Sequence, residues 1–205
     1  MRTMTVAVAL LVSLLLVGPA CTLLGPSRAE LPQLHGLAWS APTSAPHAPT
    51  DAPALLVGIP RAGPGFDSPR MAYTAEPHAL AYFARHQWVD TPARMLQPLL
   101  VRAAESTGRF AAVVQGPTSV ATDLRLDTEI VELVQDFSVR PSRVRLALRA
   151  QLVDVAERRV VAVRDVTLSE PAPNDDPAGG VEAANRVLGA ALRAVAELCA
   201  VAAPR

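Results

Sequence analysis

The chain contains no lysine and carries no net charge, because its 19 basic residues are all arginines and 19 acidic residues balance them. A neutral chain has neither the electrostatic footprint of a nucleic-acid-binding protein nor a polybasic patch for anionic membranes. Its two cysteines are far apart in the sequence, which excludes a disulfide framework. Aromatic residues make up only 4% of the chain, so any local concentration of them is informative.

The sequence also lacks catalytic motifs. A nucleophile elbow, a phosphate-binding loop and an HExxH helix are missing, and the histidines and cysteines have no metal-ligand spacing. The best pairs of an imidazole with a carboxylate are His86 with Asp90 and His78 with Glu76, but one such pair is a weak signal. The sequence therefore predicts a protein that is not an enzyme and that uses neither a metal nor a cofactor.

The N-terminal segment predicts export. Arg2 precedes an apolar run from Val6 to Val17, and small residues then lead to Cys21. This is the pattern of a signal peptide over residues 1–20. The run is shorter than the roughly 20 apolar residues that cross a bilayer core, so a permanent transmembrane helix is the weaker interpretation.

Cys21 follows this segment as the acylated cysteine follows the lipobox of bacterial lipoproteins. Gly18 and Pro19 depart from the usual lipobox, whereas Ala20 fits it. One alternative is ordinary cleavage after Ala20, which leaves a free thiol, and another is a disulfide with Cys199. The apolar helix stripe around Cys199 favours a buried thiol that behaves as a small hydrophobe.

Residues 21–53 are predicted to be a lipidated N-terminus followed by a Pro-rich spacer. In lipoproteins of double-membraned bacteria, a residue other than Asp after the cysteine usually accompanies sorting to the outer membrane, and Thr22 meets that condition. Residues 33–39 can form a short strand within the spacer. If that strand pairs with the domain, the membrane tether shortens to about ten residues.

Residues 54–201 are predicted to form a single α+β domain. A strand over "ALAYFARHQWV" places Tyr82, His86 and Trp88 on one face by strict alternation. Together with Tyr73, the aromatic members of this set are expected to wall the core beneath the helices. A ligand-binding surface is the alternative interpretation.

The segment "VDTPARMLQPLLVRAAESTG" has the period of an amphipathic helix. Asp90 or Thr91 can cap its start, Pro92 suits its first turn, and Gly108 can end it. Pro98 lies inside the pattern, so a kink or a later start is expected.

Three long strands separated by "RPS" and "AERR" predict an antiparallel meander. A change in the parity of the apolar positions near Ile130 predicts a bulge in the first of them. Asp175 or Asp176 can then cap a final helix with a continuous apolar stripe. The expected architecture is an antiparallel or mixed sheet with two helices packed on one face.

On the middle strand of the meander, Arg143, Arg145 and Arg149 point away from the apolar side chains. Such a stripe is usually a solvated sheet face. It can also contact an acidic partner or lipid head groups, so these three arginines are the candidate partner-binding residues.

The residues from "LLVGIPRAGPGFDSPRMAY" through "LAYFARHQWVDTPARMLQPLL", "GRFAAVV" and "DLRLDTEIVELVQDF" resemble the ABC-type transport auxiliary lipoproteins, the family that includes the paraquat-inducible lipoprotein C. The resemblance covers most of the mature chain. Its most specific pieces are Arg61 to Tyr73 and Tyr82 to Leu96, with Trp88, Asp90 and Pro92 as family-motif residues alongside Tyr73 and Tyr82.

The resemblance implies a non-catalytic outer-membrane lipoprotein that faces the periplasm and is held there by acyl chains such as palmitate on Cys21. Its implied partners are an MCE-type substrate-binding protein and an ABC permease and ATPase that move lipids or other hydrophobic compounds between membranes. A ring or other homo-oligomer fits such a component by analogy. The alternative function is an envelope structural lipoprotein that binds a cell-wall enzyme or polymer.

Overall fold

The computed structural model describes residues 31–41, 48–49 and 51–202. The predicted signal peptide and Cys21 lie outside the described residues. The elements in chain order are β1 (Gln33–His35), β2 (Ala54–Val57), β3 (Arg61–Ala62), β4 (Arg70–Thr74), β5 (Ala81–Trp88), α1 (Pro92–Glu105), β6 (Ala112–Gln115), β7 (Leu124–Asp136), β8 (Arg143–Asp154), β9 (Arg159–Pro171) and α2 (Pro177–Ala202).

These strands form one mixed sheet, and both helices pack on the same face of it, which confirms the predicted α+β fold. We call the helix-covered face the inner face and the opposite one the outer face. The core lies between the inner face and the helices. Its largest fully buried side chains come from β2, α1, β7, β8 and α2: Leu55, Val57, Leu96, Leu99, Leu100, Leu126, Ile130, Leu148, Leu152, Val187, Leu192 and Val195.

The long strand β7 organises the sheet. Along one edge it pairs antiparallel with β8, which pairs antiparallel with β9, so the predicted meander is confirmed. Along its other edge, β2, β3 and β4 follow one another, and all three run parallel to β7. Beyond them, β6 pairs parallel with β2, β5 pairs antiparallel with β4, and β1 pairs parallel with β5.

Two irregularities decide which side chains reach the core. The register of β7 against β8 shifts between Ile130 and Glu132, which confirms the predicted bulge. Before the bulge the even-numbered side chains of β7 point to the inner face, and after it the odd-numbered ones do. The register of β5 against β4 shifts as well, because Ala72 pairs with Tyr82 whereas Arg70 pairs with Gln87. Strict alternation across β5 was therefore the wrong prediction: Tyr82 lies on the outer face.

Both helices begin at caps that the sequence predicted. Thr91 caps α1, where its hydroxyl oxygen accepts a hydrogen bond from the Arg94 amide at 3.4 Å. The helix starts at Pro92 and continues through Pro98, which lies on its exposed side, so a later start is excluded. Asp176 caps α2 by accepting a 2.7 Å hydrogen bond from the Gly179 amide.

Candidate functional site

The N-terminal segment that follows the predicted lipidation site packs into the body of the protein. β1 pairs with β5, and the amide of Val89 donates a 2.8 Å hydrogen bond to the carbonyl of His35. The chain from Pro32 onward forms one compact unit. The N-terminal strand is thus an edge strand of the main sheet.

Beyond β1 the chain crosses the helices. Leu37 lines a small apolar cavity between α1, α2 and the inner face of the sheet. The amide of Ala38 donates a 2.8 Å hydrogen bond to Asn185 Oδ1 on α2. Trp39 lies against Gly189, where a β-carbon would come within 3.2 Å of the indole Cδ1. Leu37, Ala38 and Trp39 therefore attach the segment to α2.

This packing limits how far the body can lie from an anchor at Cys21. β1 begins twelve positions after Cys21. At roughly 3.3 Å per residue, that length of chain spans at most about 40 Å. A lipid on Cys21 would therefore hold β1 within about 40 Å of the membrane.

Two histidines join β1 to β5. His35 Nε2 lies 3.1 Å from His86 Nδ1, and the two rings are stacked with their centroids 5.3 Å apart. Burial, followed by the nearby imidazole of His86, lowers the pKa of His35. A hydrogen bond between these nitrogens needs one donor and one acceptor, so it requires at least one neutral ring.

The structure gives His86 and Asp90, one of the two candidate catalytic pairs, different partners. His86 contacts His35, whereas Asp90 accepts a 2.7 Å hydrogen bond from the Thr91 amide and forms an ion pair with Arg94 at 3.4 Å. Asp90 therefore supports the start of α1. Glu76 accepts a hydrogen bond from the Thr74 hydroxyl through its backbone carbonyl.

An aromatic cluster continues from the histidine pair along the inner face. The Phe83 ring lies 4.7 Å from Tyr73 and 6.1 Å from Phe137, with His86 at 6.2 Å, measured between ring centroids. Tyr73 and Phe137 meet edge to face at 5.9 Å. The sequence did not group Phe83 or Phe137 with Tyr73, because the bulge in β5 and the path of β4 along β7 bring the three rings together.

The other family-motif residues make contacts within the fold. Trp88 is buried in the core at the end of β5, and Pro92 is buried at the first turn of α1. Tyr82 lies on the outer face, where the guanidinium carbon of Arg70 stands 3.8 Å from its ring centroid. Its hydroxyl donates a 3.0 Å hydrogen bond to the Gly65 carbonyl.

The three candidate arginines lie along the outer face of β8, opposite carboxylates of the neighbouring strands. Arg145 binds Glu132 at 2.7 Å and also forms an ion pair with Asp136. Arg149 stands 3.7 Å from Asp165. Arg143 is exposed and pairs in register with Asp136. Arg145 is therefore neutralised within the sheet, whereas Arg143 and Arg149 are exposed to solvent.

Asp136 is the most buried member of this charged face. Burial disfavours its charged form, but hydrogen bonds from the Ser138 hydroxyl and amide and the guanidinium of Arg145 outweigh that effect and lower the pKa of Asp136. The pKa of Arg145 is raised, first by its hydrogen bond to Glu132. Arg145 is thus held in place by two carboxylates.

Cys199 is a free, fully buried thiol, which argues against the disulfide with Cys21. Burial raises the pKa of Cys199 to about 12. Among the described residues, no group of three or more histidine, cysteine or acidic side chains could hold a metal ion. In the same part of the chain, no helix has the length and apolar character needed to cross a membrane.

One protein-family model, that of the ABC-type transport auxiliary lipoprotein component, matches residues 35–196. The chain belongs to this family. A crystal structure of a Xanthomonas campestris protein of the DUF330 family model superposes on this auxiliary lipoprotein with a TM-score of 0.72 and 25% identity, over 82% of this chain and 96% of that one.

A second crystal structure, of an uncharacterized protein, has a TM-score of 0.64 at 12% identity and covers 82% of this chain and 98% of its own. At that identity the likeness shows the fold alone. No curated protein matches the auxiliary lipoprotein. The family is therefore that of an auxiliary lipoprotein component of ABC-type transport.

Proposed function

We propose that this protein is a non-catalytic outer-membrane lipoprotein that docks an MCE-linked ABC transport system for lipids or other hydrophobic compounds. The proposal includes acylation of Cys21, with the body on the periplasmic side of the membrane. The packing of β1, Leu37 and Trp39 supports it, because this packing ties the chain just after Cys21 to the folded body.

A short connection suits a docking role. A component that holds a transport machine at a membrane has to transmit its position to the partner, and a long flexible tether would not do so. The membership of the transport auxiliary family supplies the class of partner. The outer face of β8, with Arg143 and Arg149, is the proposed partner surface, since Arg145 is already bound by two carboxylates.

The test is affinity purification of the protein from its own membranes, with wild type compared with Cys21→Ser. Mass spectrometry would identify both the co-purifying proteins and the N-terminal peptide. We expect an acylated Cys21 and an MCE-type protein in the wild-type sample, and loss of membrane attachment in the variant. An unmodified soluble protein that brings down cell-wall enzymes would contradict the proposal and favour the structural-lipoprotein alternative.

The arginines are tested in the same purification. Arg143→Glu and Arg149→Glu together reverse the exposed charge of β8, and Arg94→Glu on α1 is an exposed control. We expect the double variant to recover less of the transport partner than the control does. Equal recovery from both would remove this face from the proposal and leave the lipoprotein assignment unaffected.

A further inference from the structure

A row of side chains crosses the outer face where β1, β5 and β4 meet. Leu34 pairs with Gln87, and Gln87 pairs with Arg70, so these three side chains stand next to one another on one face. Arg70 continues the row by stacking on Tyr82. The row thus starts at the N-terminal edge of the sheet and runs inward.

Two further apolar side chains flank this row. The amide of Val89 is bonded to His35, which places Val89 beside the end of β1. Leu80 lies near the Tyr82 hydroxyl, because a β-carbon at Gly65 would be 2.7 Å from Leu80 Cδ2 and 3.3 Å from that hydroxyl oxygen. We call Leu34, Arg70, Leu80, Tyr82, Gln87 and Val89 the edge row.

The edge row combines exposed aliphatic side chains with long polar ones. Leu34 is 61% exposed, Val89 58% and Leu80 42%. Tyr82 and Arg70 add long side chains with an apolar body and a polar tip, and the row contains no carboxylate. This combination of aliphatic tips with Tyr and Arg is typical of surfaces at a lipid–water boundary. By contrast, the arginines of the β8 face stand opposite carboxylates.

The position of the edge row in the chain indicates which surface it contacts. Leu34 lies thirteen positions after Cys21, so an acyl anchor keeps this edge of the sheet within reach of the bilayer. We propose that the edge row rests on the membrane surface to which the acylated Cys21 is attached. This inference rests on the acylation included in the proposed function.

The edge row would orient the protein rather than attach it. A few aliphatic tips bury far less surface than an acyl chain, in which each methylene contributes about 0.8 kcal/mol. Contact between the edge row and the lipid head groups would favour one orientation of the tethered body relative to the membrane. Because β8 and β1 lie on opposite sides of β7 in the sheet, the β8 face would then have a defined position at which a partner can bind.

The experiment places an environment-sensitive fluorophore at Leu34→Cys and Val89→Cys, with Val163→Cys on the outer face of β9 as an exposed control. Cys199 is buried and does not compete for the label. The mature protein is reconstituted into phosphatidylethanolamine–phosphatidylglycerol liposomes. We expect emission from positions 34 and 89 to shift to shorter wavelength and to be quenched by doxyl-labelled lipids, with no change at position 163.

A second preparation separates this inference from the proposed function. It carries Cys21→Ser and a polyhistidine tag before residue 21, and it binds to liposomes with nickel-chelating lipid. Mass spectrometry of the first preparation reports acylation, whose absence would count against the proposed function. Probes at 34 and 89 that stay aqueous in both preparations would overturn the edge-row inference. Shielding of these probes without liposomes would also overturn it, because protein rather than lipid would then cover the row.

Discussion

Single side chains join the N-terminal strand to the body, and one of them, His35, has a lowered pKa. The pKa of His35 lies below that of a free imidazole, so the unfolded chain binds protons more readily than the folded one. The stability that this neutral ring contributes is therefore present above the ordinary value of 6.5 and is lost as the pH falls below it.

We predict that the free energy of unfolding of the wild type decreases as the pH falls below 6.5, and that His35→Gln flattens this dependence. Chemical denaturation at a series of pH values measures it. His78→Asn is the control, because His78 is exposed at a φ of 62°, which asparagine tolerates. A wild type and a His35→Gln variant with the same pH profile would contradict the prediction.

The arginines of β8 differ at the residue scale even though they look equivalent in the sequence. Arg145 neutralises Asp136, whose side chain is only 8% exposed, whereas the Arg149–Asp165 pair is open to solvent. We predict that Arg145→Met lowers the free energy of unfolding by about 1–3 kcal/mol, because a buried carboxylate loses its partner. Arg149→Met should cost less than about 1 kcal/mol. Urea denaturation of the two variants checks the difference, and equal losses would refute it.

Between elements, the N-terminus of α2 sits against the end of β7. Gln135 Nε2 donates hydrogen bonds to Ser142 Oγ at 3.0 Å and to the Asp176 carbonyl at 3.1 Å. The side chain of Gln135 then occupies the space beside Gly180, where a β-carbon would lie 2.1 Å from Gln135 Oε1. A methyl group at position 180 would therefore force the Gln135 side chain away from its two hydrogen-bond partners.

We predict that Gly180→Ala destabilises the protein by about 1–3 kcal/mol through overpacking, despite the better helix propensity of alanine. Gly36→Ala is the matched control, since nothing lies within 4 Å of its β-carbon position. Thermal denaturation of the two variants gives the comparison. A Gly180→Ala protein as stable as the Gly36→Ala protein would show that α2 can shift away from Gln135.

At the scale of the whole molecule, the residue at which the folded body begins sets the length of chain between Cys21 and that body. The compact unit begins at Pro32 and includes the segment that packs on α2. A chain that begins at Ala54 lacks β1, Leu37 and Trp39, although residue 54 is where the regular sequence pattern starts. The two starting points therefore make different predictions for stability.

We predict that a chain starting at Ala54 is less stable than one starting at Pro32 by about 1.5–3 kcal/mol. Leu37 and Trp39 are partly buried against the core, so each contributes about half of the roughly 1.5–3 kcal/mol of a fully buried apolar side chain. Equilibrium unfolding of both chains measures the difference. Equal stability would mean that the domain begins at residue 54 and that the N-terminal segment adds nothing to the fold.

The sequence by itself determined the local features. The meander of β7 to β9 and the bulge near Ile130 follow from periodicity. Local preferences limited the helix caps to Asp90 or Thr91 and to Asp175 or Asp176, and the structure selects Thr91 and Asp176. These signals act over a few residues, so they can be read without knowing the partners. The residues that carry the family resemblance also lie in continuous segments. The match of the family model to residues 35–196 confirms the resemblance.

Tertiary structure alone decided how distant segments meet. The parallel pairing of β2, β3 and β4 with β7 joins residues more than sixty positions apart, and no alternation pattern encodes such a register. The shift in β5 sends Tyr82 to the outer face and Phe83 to the inner one. The contact of His35 with His86 and the edge row both depend on β1 joining β5, because a three-residue strand has too little pattern of its own to specify a partner.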